Sequence, residues 1–252
     1  MRVGFDLDGA VVLVTGGVRG VGAGISRAFL KAGAVVVACA RRAPDAAVPG
    51  VEFLPCDVRD PELVRRLVAE VVERHARLDV VVNNAGGAPF ALAADASPAF
   101  HRKVVELNLV APLLVSQVAN EVMQRQESGG SIVMVGSVSG RRPSPGTAAY
   151  GAAKAGLDGL AASLAVEWAP KVRVNSLAVG MVRTESSHLH YGDAAGVAAV
   201  GRTVPLGRLA EPDEVGGCAV FLASPSASYV TGASLLVHGG GEVPAYLGAA
   251  AT

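Results

Sequence analysis

Seven short runs of aliphatic and β-branched residues recur along the chain: Val11–Val14, Val35–Val37, Val51–Leu54, Val80–Val82, Ile132–Val135, Val172–Val174 and Leu235–Val237. Apart from Glu52 and Arg173 they are apolar at consecutive positions, so most have no face to offer to water. Strands of that kind must be covered on both sides, and the helical segments between them supply the cover. The pattern predicts an α/β fold, a doubly wound parallel sheet of seven strands with helices on both faces. One helix is marked in detail. Asp60 can cap it, Pro61 suits its first position, and Leu63, Leu67, Val68, Val71 and Val72 form an inner stripe. No linker, repeat or low-complexity tract divides the chain, so residues 1–252 read as a single domain. The Ala- and Gly-rich tail Leu247–Thr252 is expected to fray.

Composition excludes several classes of function. Twenty-two basic side chains balance 22 acidic ones, which leaves no footprint for nucleic acid or an anionic membrane. No apolar run approaches the ~20 residues that span a bilayer. Asp6 and Asp8 interrupt the N-terminal stretch, so a signal peptide is not expected and the cytoplasm is the expected location. Cys39, Cys56 and Cys218 are odd in number, form no Cys-x-x-Cys pair, and read as buried free thiols.

The first strand runs directly into Thr15-Gly16-Gly17-Val18-Arg19-Gly20-Val21-Gly22, and a helical pattern with Ile25, Ala28, Phe29 and Ala32 on one face follows. Glycines there permit a tight turn and let a pyrophosphate approach the backbone, while the helix N-terminus presents its N–H groups to the anion. About 20 residues on, a site that prefers NAD places a carboxylate on the ribose. Here that position is Ala40, with Arg41 and Arg42 after it, and Arg19 lies within the turn itself. Guanidinium groups bind a 2′-phosphate that a carboxylate would repel, so NADP(H) is favoured over NAD(H). The plainer alternative is a solvated strand end.

Tyr150 and Lys154 lie four residues apart, which on a helix places both on one face. An ammonium beside a phenol favours the phenolate and makes tyrosine a usable proton donor and acceptor. Ser137 closes the run Ser131–Val135, so its hydroxyl is expected at a strand end.

Taken in order, these motifs resemble the short-chain dehydrogenase/reductase family over nearly the whole chain. The glycine turn Thr15–Gly22 matches its Thr-Gly-x-x-x-Gly-x-Gly, and Asp57-Val58 its adenine-contacting pair. Asn83-Asn84-Ala85-Gly86, Pro205-Leu206-Gly207-Arg208 and Thr231-Gly232 match further signatures. Asn108, Ser137, Tyr150 and Lys154 match its catalytic set, Ser137 rather than Ser139 having the family spacing. The resemblance implies a Rossmann-like fold and hydride transfer between a nicotinamide and a ketone or secondary alcohol. It also implies cofactor contacts from Thr15, Gly16, Arg19, Gly20, Val21, Gly22, Arg41, Arg42, Asp57, Val58, Asn84, Ala85, Gly86, Tyr150, Lys154, Gly180, Val182 and Thr184. Ser137 would hydrogen-bond the carbonyl oxygen, Tyr150 would exchange its proton, and Lys154 would hold the ribose and lower the Tyr150 pKa. A NAD(H)-dependent alcohol dehydrogenase of the same family, or a silent dinucleotide-binding scaffold, are the alternatives.

Two positions depart from the family pattern: Val179-Gly180 replaces the usual Pro-Gly, and His238-Gly239-Gly240 the usual Asp-Gly-Gly. Pro112, four residues after Asn108, has no N–H for the Asn108 carbonyl. A kink is expected there, with a free carbonyl beneath Lys154 that could hold a water for proton relay; a purely local kink is the alternative. Met181–Thr203 is the expected substrate loop, with His188, His190 and Tyr191 as lid candidates rather than metal ligands. Arg141 and Arg142 could steer an anion or simply be solvated. His75 and His101 read as surface or interface residues. The small residues Ala152, Ala153, Ala155, Gly156, Gly159, Ala161, Ala162 and Ala165, with the apolar segment Leu107–Val122, suggest a subunit interface, and the resemblance implies a homodimer or homotetramer.

Overall fold

The computed structural model describes residues 5–249. All seven expected strands are present: β1 (Val11–Thr15), β2 (Val35–Ala40), β3 (Val51–Pro55), β4 (Val80–Asn83), β5 (Gly130–Val135), β6 (Val172–Val179) and β7 (Ser234–Val237). They form one sheet in the order β3-β2-β1-β4-β5-β6-β7, every neighbouring pair parallel. Chain order reverses between β1 and β4. In sheets of this kind the crevice beyond the carboxyl ends of those two strands is the place for a ligand.

The helices are α1 (Gly20–Lys31), α2 (Pro61–His75), α3 (Pro98–Val105), α4 (Ala111–Met123), α5 (Ala148–Glu167), α6 (His188–Tyr191), α7 (Ala194–Gly201), α8 (Pro212–Ala223) and α9 (Ala245–Ala249). Because side chains alternate across a strand, each all-apolar run feeds two cores. Leu13, Val37, Val81, Ile132 and Val174 pack with Leu67, Val115 and Leu157 of α2, α4 and α5. Val12, Val14, Val36, Val82 and Val133 pack with Ile25, Phe29, Val215 and Ala219 of α1 and α8.

Asp60 caps α2 as expected, its carboxylate accepting from the N–H groups of Glu62 and Leu63 at 2.9 and 3.1 Å. The inner stripe differs at its margins. Val64 is buried with Leu67, Val68 and Val71, while Leu63 and Val72 are only partly covered. Of the three thiols, Cys39 and Cys56 are buried but Cys218 is half-buried, on the flank of α8. The expected fraying from Leu247 is corrected up to residue 249, where the chain forms α9; residues 250–252 lie outside the described region.

Helices α1 and α8 approach closely through Gly24 and Gly216. A Cβ on Gly24 would overlap the backbone of Pro212, and one on Gly216 would lie 2.6 Å from the Ala28 Cβ. Alanine normally gains about 0.5–1 kcal/mol over glycine inside a helix. Overpacking costs about 1–3 kcal/mol, so at Gly24 the clash outweighs the propensity. Gly217, on the open side of α8, has nothing within 4 Å of its missing Cβ. Gly24→Ala should therefore lower the melting temperature and Gly217→Ala raise it, as read by thermal denaturation of the two variants beside the parent.

Candidate active site

Two loops at the sheet's switch point are stitched together by β1's last residue. Thr15, buried, accepts through Oγ1 from the N–H groups of Asn84 and Ala85, both at 3.0 Å. The Asn84 amide returns the contact, donating to the carbonyls of Thr15 at 2.9 Å and Gly16 at 3.2 Å. Asn83 anchors the same loop from behind by donating to Ser116 Oγ at 2.9 Å. Gly16 and Gly20 have φ of 65° and 50°, in the left-handed region that favours glycine. A Cβ on Gly22 would collide with the Gly16 carbonyl. No side chain caps α1, whose N-cap Arg19 is extended. A tight, glycine-rich turn leading into a helix N-terminus with no side-chain cap fits a pyrophosphate group.

At the outer end of the crevice, Arg41 and Arg42 follow β2 and are exposed, as is Arg19. Asp57, just past β3, is held by Arg59 through Nε at 2.9 Å and Nη2 at 2.6 Å. That pairing, with a smaller contribution from Arg41, holds the Asp57 carboxyl below its ordinary range. Val58 is buried in the core, so of this pair only Asp57 reaches the surface. Arg19, Arg41 and Arg42 have no ion pair among the described residues.

The proposed catalytic groups converge at the end of β5. Ser137 opens a single 3-10 turn, Val138–Gly140, its Oγ accepting from Ser139 N–H at 3.1 Å. Tyr150 lies in the first turn of α5 and Lys154 one turn on, its Nζ 5.6 Å from the Tyr150 ring centroid. Lys154 is 3% exposed and donates to the Val135 carbonyl at 2.7 Å. Burial lowers its pKa to about 8, and the charge of Asp158 opposes that fall. The Tyr150 phenol is raised, chiefly by burial; the Ser137 hydroxyl offsets part of this and Tyr191 adds to it. This corrects the expectation that Lys154 lowers the phenol's pKa. The ammonium is engaged by a carbonyl, and loss of water around the phenol dominates.

The expected kink before Pro112 takes the form of a π turn, Glu106–Val110, joining α3 to α4 with Ala111 N–H bonded to the Glu106 carbonyl. Widening the helix by one residue is how a chain accommodates a missing N–H without breaking. Asn108 lies in this turn, wholly buried. Its amide donates to the carbonyls of Gly87 and Val104, both at 2.9 Å, and its Oδ1 accepts from Gly87 N–H at 2.8 Å. A Cβ on Gly86 would lie 2.6 Å from that Oδ1 and 3.4 Å from Lys154 Nζ. Asn108, Gly86 and Lys154 thus meet at one point.

The segment expected as a substrate loop holds α6 and α7. Val182 bridges to Ala210, and Thr184 N–H donates to Ser187 Oγ at 2.8 Å. Thr184 also stands 3.5 Å from where a Cβ on Gly20 would be, directly against the glycine turn. His188 and His190 are exposed, and no described group of three His, Cys, Asp or Glu residues could hold a metal. Arg142 pairs with Glu242 at 2.5 Å and Arg141 with Asp158 at 3.1 Å, so neither guanidinium is left over to steer an anion. His75 is partly buried and contacts Glu52 at 3.3 Å. β6 extends to Val179, in register with Val237, and Gly180 N–H donates to the Val237 carbonyl at 2.9 Å. His238 sits beside Gly180, so the two departures from the family pattern are neighbours. Asp158 and Glu242 went unremarked in the sequence. For Asp158 the signal was available, four residues after Lys154; Glu242 is 100 residues from its partner and gave none.

A parallel doubly wound sheet with a glycine turn at its switch point and a Ser–Tyr–Lys set beside it defines a nucleotide-dependent oxidoreductase. Residues 16–242 match the family described as enoyl-(acyl carrier protein) reductase. L-fucose dehydrogenase of Bos taurus is 37% identical over 254 residues, covering 96% of this chain and 93% of that protein. Dehydrogenase/reductase SDR family member 4 of Homo sapiens is 35% identical over 245 residues, covering 93% and 88%. The Pseudomonas aeruginosa RhlG/NADP active-site complex superimposes with a TM-score of 0.86 at 31% identity, over 95% of this chain and 99% of that one. The chain belongs to the short-chain dehydrogenase/reductase family, NAD(P)-dependent oxidoreductases acting on alcohol and carbonyl groups. Among the described residues no helix is long and apolar enough to cross a membrane.

Asn108→Ala would strip the Gly87 amide and carbonyl of their partners. Gly87 is itself exposed and water can replace those partners, but each lost intramolecular hydrogen bond still costs about 0.5–1.5 kcal/mol, so the variant should lose stability in denaturant titration. The loss should exceed that of Gln117→Ala, an exposed α4 position with no comparable clamp.

Proposed function

We propose that the protein is an NADP(H)-dependent oxidoreductase interconverting a ketone and a secondary alcohol, with Tyr150 as general acid and base. When bound, the nicotinamide supplies the hydride chemistry. The chain's own residues bind, orient and handle the proton. The turn Gly16–Gly22 and the α1 N-terminus would hold the pyrophosphate, with Asn84, Ala85, Gly86, Gly180, Val182 and Thr184 lining the rest of the crevice. Thr15 and Val58 would act from behind, as packing beneath that surface.

In reduction, Ser137 would donate a hydrogen bond to the carbonyl oxygen as negative charge develops on it. Tyr150, whose phenol burial keeps protonated at neutral pH, would deliver the proton. Lys154 would turn its ammonium from the Val135 carbonyl toward the ribose, bringing positive charge to the phenol when charge is needed there. Asn108, clamped between Gly87 and the π turn, would keep Gly86 clear of the ammonium and offer a route for proton relay.

The observation that carries the cofactor reading is the state of the charges at the adenosine end. Asp57 is neutralised by Arg59, whereas Arg19, Arg41 and Arg42 are exposed and unpaired among the described residues. An excess of free guanidinium suits a 2′-phosphate. The likeness to an NADP-bound structure points the same way. The likeness to an L-fucose dehydrogenase favours a second reading, oxidation of a sugar hydroxyl. We also propose a homodimer or homotetramer through α4 and the small exposed residues of α5, Ala152, Ala155, Gly156, Gly159 and Ala162. A cytoplasmic location accompanies this reading.

Fluorescence titration should show NADPH binding more tightly than NADH. Charge-assisted hydrogen bonds contribute about 1.5–3 kcal/mol, so Arg41→Ala with Arg42→Ala should weaken NADPH by ~10-fold or more while leaving NADH nearly unchanged. Tighter NADH binding in the parent would move the assignment to NAD(H). Tyr150→Phe should lower turnover by ~100-fold or more with nucleotide affinity retained. Undiminished turnover in that variant would end the proton-transfer role.

A further inference from the structure

Asp158 is one helical turn beyond Lys154 on α5, and its two oxygens are shared between the sheet and the turn after β5. Its Oδ1 accepts from Ser176 Oγ at 2.6 Å and from Ser234 Oγ at 3.2 Å. Those two serines are register partners on β6 and β7, so they stand side by side on one face. Its Oδ2 accepts from Arg141 Nε and Nη2, both at 3.1 Å. Arg141 closes the 3-10 turn that begins at Ser137. A Cβ on Gly136 would lie 3.4 Å from Oδ1, and the residue before Gly136 is Val135, whose carbonyl receives the Lys154 ammonium. The carboxylate and the ammonium therefore flank consecutive residues at the tip of β5. A helix anchored at this one point carries Tyr150 and Lys154, and the loop anchored at the same point carries Ser137.

We infer that Asp158 is a positioning residue of the site, which ties α5 and the Ser137 loop to the tip of β5, the middle of β6 and the start of β7, and places a counter-charge one helical turn from the buried Lys154 ammonium. The charge argument follows from what else surrounds the lysine. On the same helix Tyr150 is a neutral phenol, and on the 3-10 turn Arg141 is a cation already bound to Asp158. On the π turn Glu106 acts on Arg59. From β5, β6 and β7 come a backbone carbonyl and two hydroxyls. Asp158 is the carboxylate whose charge reaches Lys154, and it opposes the fall that burial imposes. This role rests on the Tyr150–Lys154 chemistry proposed above.

The chain has only the lysines Lys31, Lys103, Lys154 and Lys171, and all but Lys154 are exposed. NMR titration of ligand-free protein carrying isotope-labelled lysine can follow each one, with Lys154 assigned by its missing signal in Lys154→Met. Lys154 should titrate at about 8. Asp158→Asn keeps the volume and removes the charge, and should lower that midpoint by roughly one unit, a ~10-fold loss of proton affinity. Arg141→Ala, which removes the competing cation, should move it upward. The alkaline limb of carbonyl reduction should shift in the same direction in each variant. A midpoint unmoved in either folded variant would overturn the inference, as would a shifted midpoint with an unmoved limb. Should Asp158→Asn not fold, Arg141→Ala alone decides the charge coupling. A parent protein that binds nucleotide yet turns nothing over would instead defeat the proposed function, and the lysine midpoints would still judge Asp158.

Discussion

An ammonium group with almost no access to water is the most demanding object in this fold. Removing such a charge from water costs several kcal/mol unless partners replace the solvent. The chain replaces it with a backbone carbonyl at the tip of β5, a carboxylate one turn along the same helix, and the rim made by Gly86 and the buried Asn108. Each partner belongs to a different element. Placing one lysine therefore fixes the depth of α5, the path of the loop after β4 and the position of the π turn. What a bound ribose would add is a second destination for the same ammonium.

The architecture was legible in the sequence because parallel strands leave an unambiguous mark. Runs such as Val11–Val14 and Ile132–Val135 are apolar at consecutive positions, and only a sheet covered on both faces accepts that. Boundaries were less legible. β6 runs on to Val179 through Asn175 and Ser176, polar residues that looked like a strand end. Both are buried, with the Asn175 amide bound to the Val230 carbonyl and Ser176 bound to Asp158. Satisfied polar side chains disguise a strand's length, since their partners lie far along the chain. The stripe of α2 shows a smaller effect, in which a one-residue rotation decides whether Val64 or Leu63 faces the core.

The site divides in the same way. Spacing announces Tyr150 and Lys154, and the glycine turn announces itself through the strand before it and the helix after it. The electrostatics around them could not be read so directly. Four residues of separation place a phenol and an ammonium on one face, but not whether the ammonium faces the phenol. In the folded chain Val135 takes the proton-donating end of Lys154, and the phenol's pKa is governed by burial instead. Proximity in sequence supplied the geometry; competition among acceptors set the direction of the charge.

That competition has a consequence for how the two ends of the crevice would act together. At the outer end of the crevice, Arg59 pairs with Asp57, and Arg19, Arg41 and Arg42 have no ion pair among the described residues. At the inner end, Lys154 and Arg141 are already paired with Val135 and Asp158. An anionic ligand entering the crevice would thus be drawn by unpaired charge at its outer end and would find paired charge at the inner one. The inner pairs can be exchanged but not simply added to. A ligand group that reached Lys154 would have to match a 2.7 Å carbonyl contact before gaining anything, so the inner end requires an oxygen acceptor in that geometry. Binding strength and chemical selectivity would then reside at opposite ends of one groove, separated by the glycine turn that both ends share.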